Sequence, residues 1–274
     1  MEPLVITPSG LADQRLVAYV SLTDHELRQS LEESDGLMVV ESRFAIEVAL
    51  REGVEPVSLL VDERHLDVVC AMLRSVDRPG EVPVFALGRE ELSKVVGFKV
   101  TRGYFCLCQR PKPLAAGEVL AGARHVAVIA NVTDTSNVGA IFRSAAALGA
   151  DAVAVMPTCA DPWSRRAIRV SMGTVFQVPW VRLAGDGVAA VRELQAAGLS
   201  CCAMALDEGA LPLGDERLRA LGRLAVLFGG EGYGLGGDVV AACDAVAMIP
   251  MTNGVDSLNV AASSAVAFWE LFRA

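Results

Sequence analysis

The chain has no Cys-x-x-Cys pair. Its seven cysteines, at 70, 106, 108, 159, 201, 202 and 243, are odd in number and sit mostly inside apolar runs. Neither a disulfide frame nor a zinc site is spelled, so buried thiols and no metal are expected. No stretch approaches the ~20 uninterrupted apolar residues that cross a bilayer. The opening MEPLVITPSG lacks the basic-then-apolar layout of a signal peptide. A cytoplasmic protein with no membrane partner is the expectation. Internal repeats and low-complexity tracts are also missing. With 274 residues, 53% of them hydrophobic, the chain can bury a generous core and is globular rather than disordered, with two domains expected.

Acids are missing from two windows. The net charge is −9, which argues against a nucleic-acid partner. Yet no acid falls between Glu91 and Glu118, a window holding Lys94, Lys99, Arg102, Arg110 and Lys112. None falls between Asp161 and Asp186, around Arg165, Arg166, Arg169 and Arg182. These are two basic windows on an acidic chain, and on charge alone a solvated surface explains them as well as a binding face does.

From about residue 24 the pattern alternates. Helical HELRQSLEES, RFAIEVALREG, ERHLDVVCAMLRS and REELSKVVG are interleaved with strands LMVVES, VSLLVD, VPVFAL and GYFCLC, the pattern of a small α/β domain. RPKPLAAGEVLAGAR then breaks the rhythm with prolines and small residues, as a linker does. The boundaries read as 1–110, a linker at 111–122, and a second domain at 123–274. That domain alternates strands HVAVIA, AVAVMP, VFQVPWV, LSCCAMAL, RLAVLFGG and AVAMIPM with helices. Short continuous apolar strands between helices predict a parallel sheet covered on both faces.

In such a sheet ligands bind beyond the carboxyl ends of the strands, and three of those places are loaded. After HVAVIA come Asn131, Asp134, Ser136 and Asn137. Capping a helix needs one such residue, not four. Arg143 follows on a helix face shared with Gly139, Ala140, Ala146 and Ala147. The second place, LFGGEGYGLGG, contains Gly232, Gly234 and Gly237 in the letter of a dinucleotide fingerprint. Glu231 there would repel a pyrophosphate, and fewer than forty residues remain. A glycine-lined backbone that approaches something closely, beside one acid, suits a cationic cofactor. In the third, a strand stops at Pro250, and Ser257 and Asn259 open a helix rich in Ala and Ser, with Ser257 as the expected cap. Such a helix can pack tightly against another, within the domain or across a dimer.

Three patterns stand in order: Asn137, Gly139, Ile141, Arg143, Ala145; then Phe228, Gly229, Glu231, Gly234, Leu235; then Ile249 to Met251 with Ser257 to Val260. Together they resemble the SpoU/TrmH family of SPOUT-class RNA ribose methyltransferases over roughly residues 123 to 274. The resemblance implies an α/β SPOUT domain whose C-terminal segment is threaded into a deep trefoil knot. It implies a homodimer, S-adenosylmethionine held bent in the knot, and methyl transfer to a ribose 2′-hydroxyl of RNA. The first domain is similar to the ribosomal-protein-like substrate-binding domain of many members.

Carried over, the cofactor contacts fall on Gly229, Gly234, Ile249, Met251 and Leu258, and the active-site positions on Asn137, Arg143, Glu231, Ser257 and Asn259. Arg165, Arg166, Arg169, Lys94, Lys99 and Arg102 become the RNA-contact candidates. The family usually has Gly where Asn253 stands and often Ser where Ala261 stands, departures that bear on loop geometry. Members with a separate front domain act more often on ribosomal than transfer RNA, so large-subunit rRNA is the expected substrate and tRNA the alternative. A nicotinamide-dependent oxidoreductase built on GYGLGG and a non-catalytic RNA-binding protein are the rivals from other classes.

Overall fold

The structure, a computed structural model, describes residues 1–10, 12–23, 35–230, 232 and 234–272. It falls into two compact units: Met1–Lys112 with Trp163–Gly173, and Pro113–Pro162 with Thr174–Ala274.

The first unit is built on a mixed sheet of β1 (Glu2–Ile6), β2 (Leu37–Glu41), β3 (Pro56–Asp62), β4 (Glu81–Leu87) and β5 (Tyr104–Gln109). The strand order is β1-β4-β3-β5-β2. β4 runs parallel to β1 and β3, whereas β5 is antiparallel to β2 and β3. Helices Arg43–Arg51, Leu66–Arg74 and Arg89–Val96 follow β2, β3 and β4. They form because their apolar residues recur at helical spacing: Ala45, Ile46, Ala49 and Leu50 are buried on one face of the first. On one face of the sheet Leu16, Tyr19, Leu60, Phe85, Leu92 and Phe105 make a common core. Tyr19 is wholly buried, so its hydroxyl must be partnered. It lies 2.8 Å from Ser58 Oγ and accepts from Leu107 N at 3.2 Å.

Two elements here were not foreseen from the sequence. β1 is an edge strand with three of its five residues exposed, and Gln14–Tyr19 is a 3-10 turn capped by Asp13. Neither carries a sustained apolar period. The helix expected at HELRQSLEES lies outside the described residues.

The second unit holds seven parallel strands: β6 (His125–Ala130), β7 (Ala152–Val155), β8 (Trp180–Arg182), β9 (Ser200–Met204), β10 (Leu211–Pro212), β11 (Leu224–Gly229) and β12 (Ala245–Met248). Their order is β10-β12-β9-β11-β6-β7-β8. β6 and β11 are neighbours in register, Phe228 beside Ile129 and Gly229 beside Ala130. From β6 the chain proceeds to β7 on one side; from β11 it proceeds to β12 on the other. The crevice at their carboxyl ends is therefore a topological switch point, where open α/β sheets place ligands.

One sheet face carries Val126, Val128, Ala154, Ala225 and Leu227 against helix Gly187–Ala196. On the other, Phe228 meets Phe268 of helix Val260–Leu271 edge-on at 5.4 Å. Two expectations change. VFQVPWV supplies only the first two of the three residues of β8, because Thr174–Phe176 turns as a 3-10 helix and Pro179 has no N–H for a ladder. The stretch read as a linker contains helix Ala116–Ala121, with Leu120 buried in the core of the second unit.

Candidate functional site

The polar turn after β6 is shaped by backbone demands first. Asn131 has φ 56°, a left-handed conformation that Asn tolerates better than most residues. Asp134 caps helix Thr135–Ala147 through the N–H groups of Ser136 and Asn137. With capping assigned to Asp134, Asn137 is released for other work. Its Oδ1 accepts from Asn259 Nδ2 at 3.1 Å. Asn259 in turn caps helix Val260–Leu271, its Oδ1 accepting from Ala261 N at 2.9 Å. Expected active-site positions more than a hundred residues apart are thus joined side chain to side chain. The expected cap, Ser257, is not the cap; it is exposed two residues earlier.

The glycines after β11 are sterically required. A Cβ on Gly229 would lie 2.1 Å from the carbonyl carbon of Gly234, and one on Gly230 would lie 1.9 Å from the carbonyl oxygen of Asn131. Gly230 and Gly234 form an antiparallel bridge, Gly234 N donating to Gly230 O at 3.1 Å. The backbone therefore folds against itself and against the end of β6, with no room for side chains. Glu231, expected as a catalytic position, lies outside the described residues.

Beside this fold is a cavity of about 1220 Å³, ample beside the ~300–1,000 Å³ common for small-molecule sites. All five expected cofactor contacts, Gly229, Gly234, Ile249, Met251 and Leu258, line it, together with Ser257 and Asn259. Asn137 and Arg143 do not. Among the described residues of the wall there is no Lys, Arg or His, whereas Asp207, Asp244 and Asp256 are there. Asp244 is committed to the N–H of Cys201 at 2.7 Å and to Gln195 Nε2 at 3.2 Å. Bare backbone, apolar floor and acids without a competing cation fit a positively charged ligand of moderate size. The sequence reading missed Asp207 and Asp256; a carboxylate after β9 and another beside Ser257 were the available signals.

The loop closing the cavity turns at Asn253 (φ 58°) and Gly254 (φ 69°). Asn in place of the family's usual Gly is accommodated because Asn enters the left-handed region. Cys243 also lines the cavity. Burial first, then Asp244, pushes its thiol up to about 11, and burial pushes Cys201 and Cys202 up to about 12. At neutral pH they remain thiols and are poor nucleophiles. All seven cysteines are free. Among the described residues no group of three or more metal-ligating side chains is assembled, and no helix is long and apolar enough to cross a membrane.

Arg143 is exposed on its helix and has no hydrogen-bond or ion-pair partner among the described residues. The basic windows separate into two kinds. Lys94, Lys99, Arg102 and Arg166 are exposed without ion pairs among the described residues. Arg165 and Arg169 instead share Glu41 within the first unit, Arg169 Nη1 at 3.1 Å, and Arg165 stacks its guanidinium 5.1 Å from the Phe98 ring. They do not line the cavity. Arg182 donates to the carbonyls of Met156, Pro157 and Cys159.

The model of the SpoU rRNA Methylase family matches residues 124–269, more than half of the chain. The chain belongs to the SpoU rRNA methylase family. An uncharacterized tRNA/rRNA methyltransferase of Mycobacterium bovis is 35% identical over 263 residues, spanning 95% of this chain and 89% of the relative. The 23S rRNA (guanosine(2553)-2′-O)-methyltransferase RlmP of Bacillus subtilis is 27% identical, spanning 85% and 87%. Among solved structures, the SpoU methyltransferase AviRb from Streptomyces viridochromogenes in complex with AdoMet superposes with a TM-score of 0.76 at 23% identity, covering 94% of this chain and 97% of that one. At that identity the superposition speaks for the fold. SpoU membership leaves GYGLGG without a dinucleotide role: the helix it opens, Gly237–Ala242, has six residues, and Gly234 is spent on the bridge to Gly230.

Proposed function

We propose that this SpoU-family chain is an S-adenosylmethionine-dependent methyltransferase acting on the 2′-hydroxyl of a ribose in large-subunit rRNA. It works in the cytoplasm as a homodimer, its C-terminal segment threaded as a trefoil knot. The observation that carries the reading is the glycine-walled cavity at the β6/β11 switch point, with no Lys, Arg or His among its described lining residues and with the Asn137–Asn259 bond at its border. The family's name and the activity of the Bacillus subtilis relative favour rRNA over tRNA.

Gly229, Gly234, Ile249, Met251 and Leu258 would hold the cofactor, mostly through main-chain groups; when bound it supplies an electrophilic methyl on a sulfonium. The chain's own work is positioning, which contributes much of the acceleration when two reactants must meet in line. Asn259 and Asn137 fix the opening of the cavity, and Ser257 faces it. Arg143 lies outside the cavity of its own chain, so in the homodimer it serves the partner's cavity. There it grips the target phosphate and steadies the developing oxyanion. Guanidinium groups keep their proton in proteins, so Arg143 acts as a clamp rather than as the base. Exposed Lys94, Lys99, Arg102 and Arg166 contribute to RNA contact.

Replacing Arg143 with Ala tests the reading. Transfer of a labelled methyl group to unmodified 23S rRNA should be abolished, while the dimer and the thermal shift produced by S-adenosylmethionine persist. Near-normal turnover in Arg143→Ala would refute the assignment.

A further inference from the structure

At the carboxyl end of β3 a fully buried carboxylate holds two half-exposed guanidiniums. Arg64 Nε donates to Asp62 Oδ1 at 2.9 Å and its Nη2 to Oδ2 at 2.6 Å. From the first turn of helix Arg89–Val96, Arg89 Nε donates to the same Oδ2 at 3.0 Å. The Asp62 side chain is 0% exposed, whereas those of Arg64 and Arg89 are 56% and 44% exposed. The hydrogen bonds from Arg64, offset in part by burial, hold the Asp62 carboxyl well below the usual carboxylate range. Gly103 closes over it: a Cβ there would meet Asp62 Cβ at 2.6 Å, and its carbonyl accepts from Asp62 N at 3.0 Å.

The Asp62–Arg64 fork is a local capping motif that recurs at Asp13–Arg15 and Asp215–Arg217; what local structure does not need is the second guanidinium, Arg89. Capping the 3-10 turn Glu63–His65 takes only the bond from Arg64 N, and one guanidinium would neutralise one carboxylate. The second exceeds what the buried carboxylate needs, although Glu63 also acts on Arg64. Arg64 Nη1 and both terminal nitrogens of Arg89 make no hydrogen bond among the described residues, so these donors face solvent. Next to them the His65 ring stacks on the buried Tyr104 ring at 4.4 Å and 15°, and Arg102 is exposed. Glu63 and Glu90 are exposed on the same two turns, so recognition here rests on oriented donors more than on net field. The cavity beside the β11 glycines does not include these residues. An open surface with several fixed donors and an aromatic plane suits a polymer backbone with unstacked bases rather than a small enclosed anion.

We propose that Arg64 and Arg89, fixed by Asp62, form a clamp for consecutive RNA phosphates, with an unstacked base laid on His65. The inference rests on the RNA methyltransferase reading and adds a contact set that charge windows did not reveal. Anchoring the guanidiniums on a buried carboxylate removes in advance the entropy that free arginines lose on binding.

The test is filter binding of full-length protein to in-vitro-transcribed 23S rRNA across a potassium chloride series. The triple variant Asp62→Asn/Arg64→Gln/Arg89→Gln deletes the ions without stranding a buried charge. It should bind about tenfold more weakly or worse, with the log Kd against log salt slope reduced by about 1.4, as loss of two phosphate contacts requires. The thermal shift with S-adenosylmethionine should be unchanged. If the triple variant does not fold, Arg89→Gln alone, which keeps the Asp62–Arg64 pair, should lose about 0.7 from the slope. Wild-type affinity and slope in the folded variant overturn the clamp and leave the methyltransferase reading standing. Failure of the wild-type protein to bind the transcript overturns both.

Discussion

At the residue scale, single atoms decide the site. Gly230 illustrates a position where one methyl group is impossible, because a Cβ would fall 1.9 Å from the Asn131 carbonyl oxygen and that obstacle is backbone. Gly230→Ala should therefore cost about 3 kcal/mol or more in urea denaturation. Gly237→Ala, with nothing within 4 Å of the added carbon, should stay within about 0.5 kcal/mol of wild type. Asn259 does two jobs, and two variants separate them. Ser keeps the cap on helix Val260–Leu271 but cannot reach Asn137, whereas Ala loses both. Asn259→Ser should retain about 1 kcal/mol more stability than Asn259→Ala, while both should lower methyl transfer to 23S rRNA. Legibility at this scale was uneven. Asn137, Asn259 and Gly229 stood out because polar or glycine residues clustered where a strand ended. Ser257 was misassigned as the cap because Ser and Asn are near-equal caps, and only the observed dihedral angles choose between them.

At the element scale, the C-terminal helix is fastened by a ring ladder. Phe228 meets Phe268 edge-on, Phe268 stacks on Phe272 at 5.0 Å, and Phe272 stacks on His125 at 4.8 Å. Burial pulls the His125 pKa below its ordinary 6.5. The unfolded chain then binds more protons than the folded one between the folded-state value and 6.5. Stability from this group is therefore full above that window and is lost as pH falls through it. The thermal midpoint should drop more steeply between pH 7 and pH 5 in the wild type than in His125→Phe, which keeps the stack and removes the titration. Most strands and helices were legible because period 2, period 3.6 and continuous apolar runs are local signals. β8 and the helix at Ala116–Ala121 were not. The first is three residues long and the second is held by its surroundings, notably by Arg223, which donates to the carbonyls of Leu120, Ala121, Ala123 and Ala197.

At the scale of the whole molecule, the question is where the positive charge of an acidic chain is spent. Two of the arginines picked from the basic windows, Arg165 and Arg169, are bound to Glu41, over 120 residues away in the chain. Glu41 and Arg165 are 15% and 16% exposed, so that pair is largely shielded from solvent, whereas Arg169 is 42% exposed. Glu41→Gln should cost about 2 kcal/mol, below the ~3–5 kcal/mol of a fully buried pair because Arg169 still reaches water; chemical denaturation of the full chain measures it. Of the six candidates picked from those windows, Lys94, Lys99, Arg102 and Arg166 are instead exposed without an ion pair among the described residues, and these are the ones proposed to contact RNA. No composition window separates the two kinds, since a guanidinium's partner is set by distance in space.

The sequence by itself determined the classes of its elements, the parallel character of the second sheet, the need for glycine after β11 and the family. All of these are written in short-range patterns or in motifs whose order survives without coordinates. Only the tertiary structure decided that Asn137 bonds Asn259, that Asn259 rather than Ser257 caps the last helix, that residues 163–173 pack with the first unit, and that Asp62 gathers two arginines. The physical reason is common to all four. Each depends on which segments the packed chain brings within hydrogen-bonding reach, and burial of apolar surface across the whole fold selects those juxtapositions without leaving a local trace.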